Sequence, residues 1–427
     1  MTDTIHPAAA RGFGAGAEAY ERSRPGYPPD AVAEIVRQLD LRPGRTLLEL
    51  GAGTGKLTRL LVPSGARIVA VEPVASMRAT LETVIDDADG VEILDGTAEA
   101  IPMAAASVDA VVVAQAFHWF DAIRALSEIH RVLRPGGRLL LAWNQRDEAV
   151  PWVRELGELI RTLAHGEPQV WDDAWRASLR RCALFQPWTS VAFRHAQVLT
   201  RDGVIDRVAS VSFVAAAEPS AQAAVLADVE TLLRDDPETA GRETIALPYD
   251  TTLMWAARRS IEPGLEGVIA SVNLNRGGVP KPPVDGTVVR TLGLEGDGHA
   301  NPDVHGGPLA AVCLYPQEAI ERVRADGHQA FPGSYGENLT LLGIDWTALH
   351  EGDRLDVGDE RGDGEPGPLL ELTQYAAPCA TQAHWFLEGR IGRISHRVRP
   401  EDARWYARVL REGPVAPGMA VRVVRED

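Results

Sequence analysis

The chain has 427 residues, a length that accommodates two or three domains, each with its own buried core. Its 43 Lys and Arg residues against 60 Asp and Glu residues give a formal net charge of -17, so a nucleic acid is not expected as a partner. No apolar stretch approaches the roughly 20 residues of a membrane span. The segment MTDTIHPAAARG lacks the basic and apolar regions of a signal peptide. These two features predict a cytoplasmic protein without a membrane partner.

Short apolar runs alternate with helical patterns between residues 31 and 145, and this alternation predicts crossover units on a mostly parallel sheet. Residues 150–235 are predicted to be helical and to form a lid. The segment ETIALPYDTTLMWAAR is then predicted to be two strands, or a strand pair, that closes a first domain at about residue 259. From residue 265 to 425, Gly, Pro and Asp become frequent and the apolar runs shorten, which predicts a compact, strand-rich second domain.

The segment LLELGAGTGKLTRLL predicts a strand, a tight turn and the start of a helix. Glycines at 51, 53 and 55 let the backbone approach a ligand closely, and the start of a helix presents free N–H groups. Glu72 ends the next predicted strand, where its carboxylate can accept both hydroxyls of a ribose. An adenosine-bearing ligand is therefore expected at this turn.

Further segments accompany the turn: YERSRPGYP, AVEP, GTAEAIP, SVDAVVVAQAFHWFD and RVLRPGGRLLLAWN. Over residues 11–259 the chain thereby resembles the class I S-adenosylmethionine-dependent methyltransferases, and within them the small-molecule enzymes with HWF after the fourth strand. The resemblance implies a Rossmann-like α/β fold with a helical lid, S-adenosylmethionine as cofactor and a small-molecule acceptor. It also implies the donor-binding residues, which are Tyr20, Arg24, Glu49, Gly51, Ala52, Gly53, Gly55, Glu72, Thr97, Ala98, Glu99 and Gln115.

The same resemblance assigns parts of the donor to these residues. Residues 49–55 wrap the methionine part and the adenosine, Glu72 holds the ribose, and residues 97–99 line the adenine edge. Gln115 faces the donor from the end of the fourth strand. Tyr20 and Arg24 close over it, and an arginine there can pair with the donor's carboxylate.

Residues on the acceptor side are less strongly indicated. His118 is either a general base toward an O–H or S–H acceptor or a packed histidine that orients its loop, and the sequence favours neither. Trp119 and Phe120 are expected to form pocket wall or core. Within the predicted lid, the further candidates are Arg146, Trp171 and Trp175, and Cys182 is expected to be a packing residue.

The second domain carries a different set of polar residues. Arg276 and Lys281 stand beside glycine-rich segments, where cations can bind an anion such as a phosphate. Acidic, histidine and amide side chains follow on glycine-rich loops, and their spacing fits no standard zinc pattern, so no metal site is predicted. These residues are Asp297, His299, His305, Glu337 and Asn338. Three cysteines without CxxC spacing favour neither a disulfide framework nor a zinc site.

The segments KPPV, GLEGDGHA, HGG, GENL and APC occur in this order and resemble the MOSC domains, named for the C-terminal part of molybdenum-cofactor sulfurase, over residues 265–425. The resemblance implies a β-barrel-like fold whose cysteine either carries sulfur as a persulfide or ligates molybdenum in a pterin cofactor. It makes Cys379 the reactive thiol and Arg276 and Lys281 anion-binding candidates. Asp297, His305, Glu337 and Asn338 would line the site.

Two functional hypotheses follow from this combination. In the first, Cys379 receives sulfur from a cysteine desulfurase and passes it to an acceptor such as a carbamoyl or isocyanate carbon, and the first domain methylates the resulting thiolate. In the second, the MOSC domain binds molybdenum cofactor, and the methyltransferase acts separately on an oxygen, nitrogen or carboxylate. A further possibility is a pure binding module, in which Cys379 is inert and the second domain only positions a substrate. Arg276 and Lys281 have few basic neighbours in the sequence, which favours sulfur carriage.

Overall fold

The computed structural model describes residues 23–85, 88–164, 173–298, 306–358 and 366–425. The chain divides into two compact units. Of the described residues, the first unit contains those in 23–121, 132–164 and 187–257, and the second contains those in 122–131, 173–186 and 258–425. Among the described residues, no helix is both long and apolar enough to span a membrane.

The first unit is built on one sheet. Its described strands are β1 (Thr46–Leu50), β2 (Arg67–Val71), β3 (Val91–Leu94), β4 (Val108–Ala114), β5 (Leu133–Arg146), β6 (Thr189–Thr200) and β7 (Thr244–Ala257), in the spatial order β3-β2-β1-β4-β5-β7-β6. Pairing is parallel from β3 to β5 and antiparallel where β7 joins β5 and β6. The central strands β1 and β4 are almost wholly buried, as continuous apolar runs such as DAVVVA predict. The Rossmann-like prediction is confirmed.

Several helices of the first unit carry buried apolar residues. Those described are α1 (Pro29–Gln38), α2 (Thr58–Leu61), α3 (Ala75–Ile85), α5 (Pro151–Arg161), α7 (Arg201–Ala209), α8 (Ser212–Ala215) and α9 (Pro219–Asp235), while α4 (Ala122–Val132) and α6 (Asp173–Arg180) belong to the second unit except for Val132. Proline starts α5, where its missing N–H is not needed, and Trp152, Val153, Leu156 and Ile160 lie on its buried face. They share one core with α7, α9 and Tyr249.

Two predictions about residues 150–257 are wrong in detail. Strand β6 lies inside the stretch predicted to be helical, and it is an edge strand without a fully buried residue. Its residues TSVAFRHAQVLT alternate in exposure and pair with β7 along twelve residues. Strand β7 is a single long strand rather than two, because it pairs on both sides, with β5 and β6.

The second unit contains a closed barrel, as predicted. Its described strands are β8 (Glu266–Asn273), β9 (Pro283–Val284), β10 (Thr287–Arg290), β11 (Gly293–Leu294), β12 (Val312–Pro316), β13 (Leu339–Leu342), β14 (Arg354–Gly358), β15 (Leu369–Ala376), β16 (Arg404–Arg411), β17 (Gly413–Val415) and β18 (Ala420–Val424), with helix α10 at Gln317–Ala325. The order β13-β12-β16-β15-β14-β18-β8 closes through pairing of β13 with β8. Closure leaves the barrel without an open edge and encloses a core of apolar side chains that includes Ile269, Leu314, Leu355 and Trp405.

Candidate functional sites

The loop between β1 and α2 turns at three glycines with left-handed backbone. The φ angles of Gly51, Gly53 and Gly55 are 67°, 58° and 84°, which side chains other than glycine rarely adopt. A Cβ on Gly51 would lie 2.7 Å from Cβ of Ala116, and a Cβ on Gly55 would lie 2.4 Å from Cδ1 of Leu81. At Gly53 a Cβ would have no neighbour within 4 Å. The loop is therefore packed against protein at its two ends and open at its centre.

Two buried carboxylates lie beside this loop. Glu72 accepts hydrogen bonds from the backbone N of Gly53 and of Val74, each at 2.9 Å. Glu49 accepts one from the Thr58 hydroxyl at 2.7 Å. Burial raises the pKa of both carboxyls, and with the added charge of Glu72 the pKa of Glu49 rises to about 7. The structure thus brings the predicted donor residues Glu49, Gly53 and Glu72 together.

Two cavities of the first unit share part of their lining. The smaller one is lined by residues that include Glu49, Gly51, Ala52 and Gly53, and the larger one has a volume of about 400 Å³. Both are lined by Arg24, Gln115, Asn144 and Arg207. These four residues therefore lie at the boundary between the two cavities.

Other predicted donor residues are placed as follows. Gln115 has a left-handed φ of 59° at the end of β4, and its Nε2 donates to the Asn144 carbonyl at 3.4 Å. Thr97, Ala98 and Glu99 lie in the turn after β3 and are not among the described lining residues of either cavity. The Glu99 carboxylate accepts from the backbone N of residue 121 at 2.8 Å, so it fixes this turn. A role for residues 97–99 at the adenine edge stays a prediction.

His118 lines the larger cavity, in the short turn Phe117–Trp119. Burial, followed by the charge of Arg24, lowers the pKa of His118 to about 3, so its imidazole is neutral at neutral pH. Its Nδ1 is inaccessible and has no hydrogen-bond partner among the described residues, and its ring centre lies 5.2 Å from that of Trp119. A base with so low a pKa removes protons poorly near pH 7.

Several arginines line the larger cavity. Arg207, on α7, is 6% exposed, and its Nε donates to the Tyr249 hydroxyl at 3.1 Å. Arg146 ends β5, and Arg24 donates to the Ser210 carbonyl at 2.9 Å. Arg207 and Tyr249 were not predicted from the sequence, because no local motif marks them and they are far apart in the chain.

In the second unit, Cys379 precedes the short 3₁₀ helix Ala380–Trp385 and is partly exposed. Hydrogen bonds from the Thr381 hydroxyl and backbone N lower the pKa of Cys379, and the charge of Arg404 lowers it further. Burial instead raises the pKa of Cys313, and it raises the pKa of Cys182 to about 12. Of the three thiols, Cys379 therefore has the largest thiolate fraction at neutral pH.

Arg404 at the start of β16 holds the backbone around Cys379, although no sequence pattern singled it out. This residue is 4% exposed and donates to the carbonyls of Tyr335 and Ala377 and, at 3.5 Å, to Oε1 of Gln382. The same Oε1 accepts from the backbone N of Cys379 at 3.0 Å, and Gln382 Nε2 donates to the Tyr335 carbonyl at 2.6 Å. Arg404 and Gln382 thus position the cysteine.

The predicted anion-binding residues of the second unit differ in environment. Lys281 is 5% exposed and its Nζ lies 2.5 Å from Oδ2 of Asp297. Asp297 also accepts from Asn338 Nδ2 at 2.8 Å and from the backbone N of Asn275 at 2.9 Å. Arg276 is exposed. The ammonium of Lys281 is therefore already neutralised by a buried carboxylate, and anion binding by Lys281 and Arg276 stays a prediction.

Glu337 is fully buried and supports a loop. Its carboxylate accepts from the backbone N of Gly333 at 2.7 Å and of Tyr335 at 3.3 Å, and burial raises its pKa. A Cβ on Gly333 would lie 1.9 Å from the Lys281 carbonyl oxygen, so this loop passes directly over the backbone of Lys281. The geometry gives Glu337 a structural task at this place.

Four residues named from the sequence lie outside the described residues: Tyr20, Trp171, His299 and His305. Trp175 is buried in the second unit, with the guanidinium of Arg176 4.3 Å from its ring centre. Within the described ranges, no group of three or more His, Cys, Asp or Glu side chains is arranged to hold a metal ion.

Two family models match the chain. The model of a methyltransferase domain matches residues 48–141, which contain the glycine loop, Glu72 and His118. The model of the MOSC domain matches residues 301–422, which contain Cys379 and Arg404.

Known proteins similar to the chain cover its N-terminal part. The uncharacterized methyltransferase Rv3342 of Mycobacterium tuberculosis is 44% identical over 248 residues, which are 57% of this chain and 94% of that protein. The uncharacterized methyltransferase-like protein C25B8.10 of Schizosaccharomyces pombe is 32% identical over 233 residues, 54% of this chain and 90% of that protein. Among solved structures, the YcgJ protein from Bacillus subtilis is 19% identical and covers 54% of this chain and 99% of its own, with a TM-score of 0.40.

Proposed function

Because the chain belongs to the class I S-adenosylmethionine-dependent methyltransferases and carries a MOSC domain, we propose that it couples sulfur transfer to S-methylation. Cys379 carries a persulfide sulfur to a small-molecule acceptor, and the methyltransferase domain then methylates that sulfur. One observation carries this proposal. Cys379 is partly exposed and has a lowered pKa, whereas the pKa values of Cys182 and Cys313 are raised by burial.

The residues of the first unit fit S-adenosylmethionine, which when bound supplies an electrophilic methyl group on a sulfonium. Gly53 leaves open space at the centre of the loop, and the Glu72 carboxylate bonded to its N–H suits the hydroxyls of a ribose. Arg24 lines both cavities and suits the donor's carboxylate. These residues orient the donor toward the larger cavity.

The chain's task in methyl transfer is to position the reactants and exclude water. Holding donor and acceptor in line contributes about 7–11 kcal/mol to barrier lowering in favourable cases. A thiolate needs no base, which agrees with a His118 whose pKa lies near 3. His118 and Trp119 then act as walls of the acceptor cavity.

The terminal sulfur of the Cys379 persulfide attacks an electrophilic carbon and forms a C–S bond. At an isocyanate carbon the nitrogen takes up a proton, and at a carbamoyl carbon the leaving group departs with the bonding electron pair. A small thiol then attacks Sγ of Cys379 and breaks the S–S bond, which supplies two electrons and releases the product thiolate. A second thiol frees Cys379 from the mixed disulfide. A separate cysteine desulfurase is the sulfur source.

The described residues of the second unit fit a molybdenum cofactor less well. Lys281 is paired with Asp297, and Arg404 donates to two carbonyls and a side-chain amide, so both buried cations already have protein acceptors. Arg276 is exposed. A pterin phosphate would have to displace these partners, and no step is routed through that cofactor.

Intact-protein mass spectrometry tests the sulfur step. The wild type, Cys379→Ala and the matched control Cys313→Ala are incubated with a cysteine desulfurase and ³⁵S-labelled cysteine. We expect one added sulfur on the wild type and on Cys313→Ala, and none on Cys379→Ala. Addition of an alkyl isocyanate, a thiol and S-adenosylmethionine should then discharge the label into an S-methyl thiocarbamate.

Two results would contradict the proposal. Equal sulfur gain on Cys379→Ala and wild type would remove Cys379 as the carrier. Sulfur gain without labelled product would leave the MOSC domain as a sulfur carrier and separate it from the methyl transfer.

A further inference from the structure

Four arginines line the larger cavity of the first unit, and not all of them are paired with a carboxylate of that cavity. Arg24, Arg146, Arg161 and Arg207 line it, together with the carboxylates of Asp147, Glu148 and Asp250. Glu148 pairs with Arg161 at 2.7 Å, and Asp250 lies 3.6 Å from the exposed Arg194. Asp147 accepts from the backbone N of residue 149 at 3.1 Å. Among the described residues, neither Arg146 nor Arg207 forms an ion pair, although the nearby charge of Glu148 favours the charged form of Arg146.

Both arginines also keep polar hydrogens without acceptors. Nη1 of Arg207 and Nε of Arg146 are inaccessible and have no hydrogen-bond partner among the described residues. Arg207 is 6% exposed, so its guanidinium is largely shielded from bulk water. A buried donor without an acceptor is costly, and a buried charge without a counter-charge is costlier still. Burial and the charge of Arg207 also lower the pKa of Arg146 to about 10.

We propose that Arg146 and Arg207 bind a carboxylate of the methyl acceptor. The planar guanidinium offers two parallel N–H groups that match the two oxygens of a carboxylate. The acceptor is then a small acid. Under the proposed function it carries this carboxylate in addition to the thiolate that is methylated. This inference rests on the methyl-transfer half of that function and is independent of Cys379.

The placement separates this role from donor binding. Arg146 lines the larger cavity and is not among the lining residues of the smaller one, which contains the glycine loop. Arg24 and Arg207 line both. Arg146 therefore carries the decisive test, because a donor seated beside Gly53 leaves it on the acceptor side.

The experiment uses a matched pair of probes on the full chain saturated with S-adenosylhomocysteine. Binding of 3-mercaptopropionate and of its neutral analogue 3-mercaptopropionamide is measured by calorimetry for the wild type, Arg146→Gln and Arg207→Gln. Arg234→Gln is the control, since its side chain is 62% exposed in the same unit and is not among the described lining residues of either cavity. The Kd of S-adenosylhomocysteine is measured for every variant as a test of donor binding, and far-ultraviolet circular dichroism is recorded as a test of folding.

We expect the wild type and Arg234→Gln to bind the carboxylate about tenfold to a hundredfold more tightly than the amide, as for hydrogen bonds to charged groups. Arg146→Gln should lose most of that preference with its Kd for S-adenosylhomocysteine within about twofold of the wild type. Equal binding of the two probes by the wild type, or an unchanged preference in Arg146→Gln, would overturn the inference. A parallel loss of S-adenosylhomocysteine binding in Arg146→Gln would assign the arginine to the donor instead.

Turnover of the same probes separates this inference from the proposed function. If the carboxylate binds selectively but its thiol is not methylated, the anion site stands and S-methylation fails. If both thiols are methylated at equal rates and bind equally, S-methylation stands and the anion site fails.

Discussion

Glu49→Gln should change the way stability depends on pH. The side chain is 1% exposed, and burial raises its pKa from 4.5 to about 7. An acid with a raised pKa in the folded protein holds its proton more tightly there than in the unfolded chain, so its stabilising contribution is complete below about pH 4.5 and is lost as the pH rises through about 7. The shift corresponds to about 3 kcal/mol at 1.36 kcal/mol per pKa unit.

The amide of glutamine keeps an oxygen that accepts the Thr58 hydroxyl, and it cannot ionise. We therefore expect Glu49→Gln to gain up to about 3 kcal/mol relative to the wild type between pH 4.5 and 8, with little difference at the acid end. Urea unfolding at several pH values measures this, with the first unit identified as the transition that S-adenosylhomocysteine shifts to higher urea. A difference between the two proteins that does not change with pH would refute the reasoning.

Three further predictions concern backbone, histidine and thiol. Gly51→Ala should lower the free energy of unfolding by about 1–3 kcal/mol more than Gly53→Ala. Both glycines have left-handed φ, but only a Cβ on Gly51 would collide with a neighbour, Cβ of Ala116. Urea unfolding of the two variants measures the difference. His118, whose pKa is about 3, should add no inflection to the methyl-transfer rate between about pH 5 and 8, so the profiles of wild type and His118→Gln should be parallel. Iodoacetamide at neutral pH should alkylate Cys379 well before Cys313, as peptide mass spectrometry would show, because one thiol has a lowered pKa and the other is buried; equal rates would contradict this.

Local signals predicted the elements that depend on local chemistry. The glycines of the loop require left-handed φ, and the apolar run of β4 requires burial on both faces, so both features are visible in a short segment. Strand β6 was missed because it follows helical segments and lies at the sheet edge, where no residue is fully buried. Its twelve-residue pairing with β7 is a tertiary contact that the segment itself does not encode.

The polar residues around each candidate site show the same limit. Arg207 meets Tyr249 across 42 residues of sequence, and Arg404 meets Ala377 across 27, so neither pair has a spacing that a motif search would find. Lys281 is visible in its motif, yet its pairing with Asp297 depends on how the loops fold. Sequence patterns thus indicated candidate site residues, while the partners that set the charge around them came from the structure.

The charges in the larger cavity favour a particular placement of the acceptor. Methyl transfer from a sulfonium to a thiolate neutralises charge, so the transition state is less polar than the reactants, and strong stabilisation of the thiolate itself would slow the reaction. Arginines are therefore best used on a remote carboxylate, where their binding energy orients the acceptor without quenching the nucleophile. Trp119 and Phe213 supply apolar wall in the same cavity and suit the reacting sulfur. An acceptor with its carboxylate at Arg146 and its sulfur near these aromatic rings satisfies both requirements.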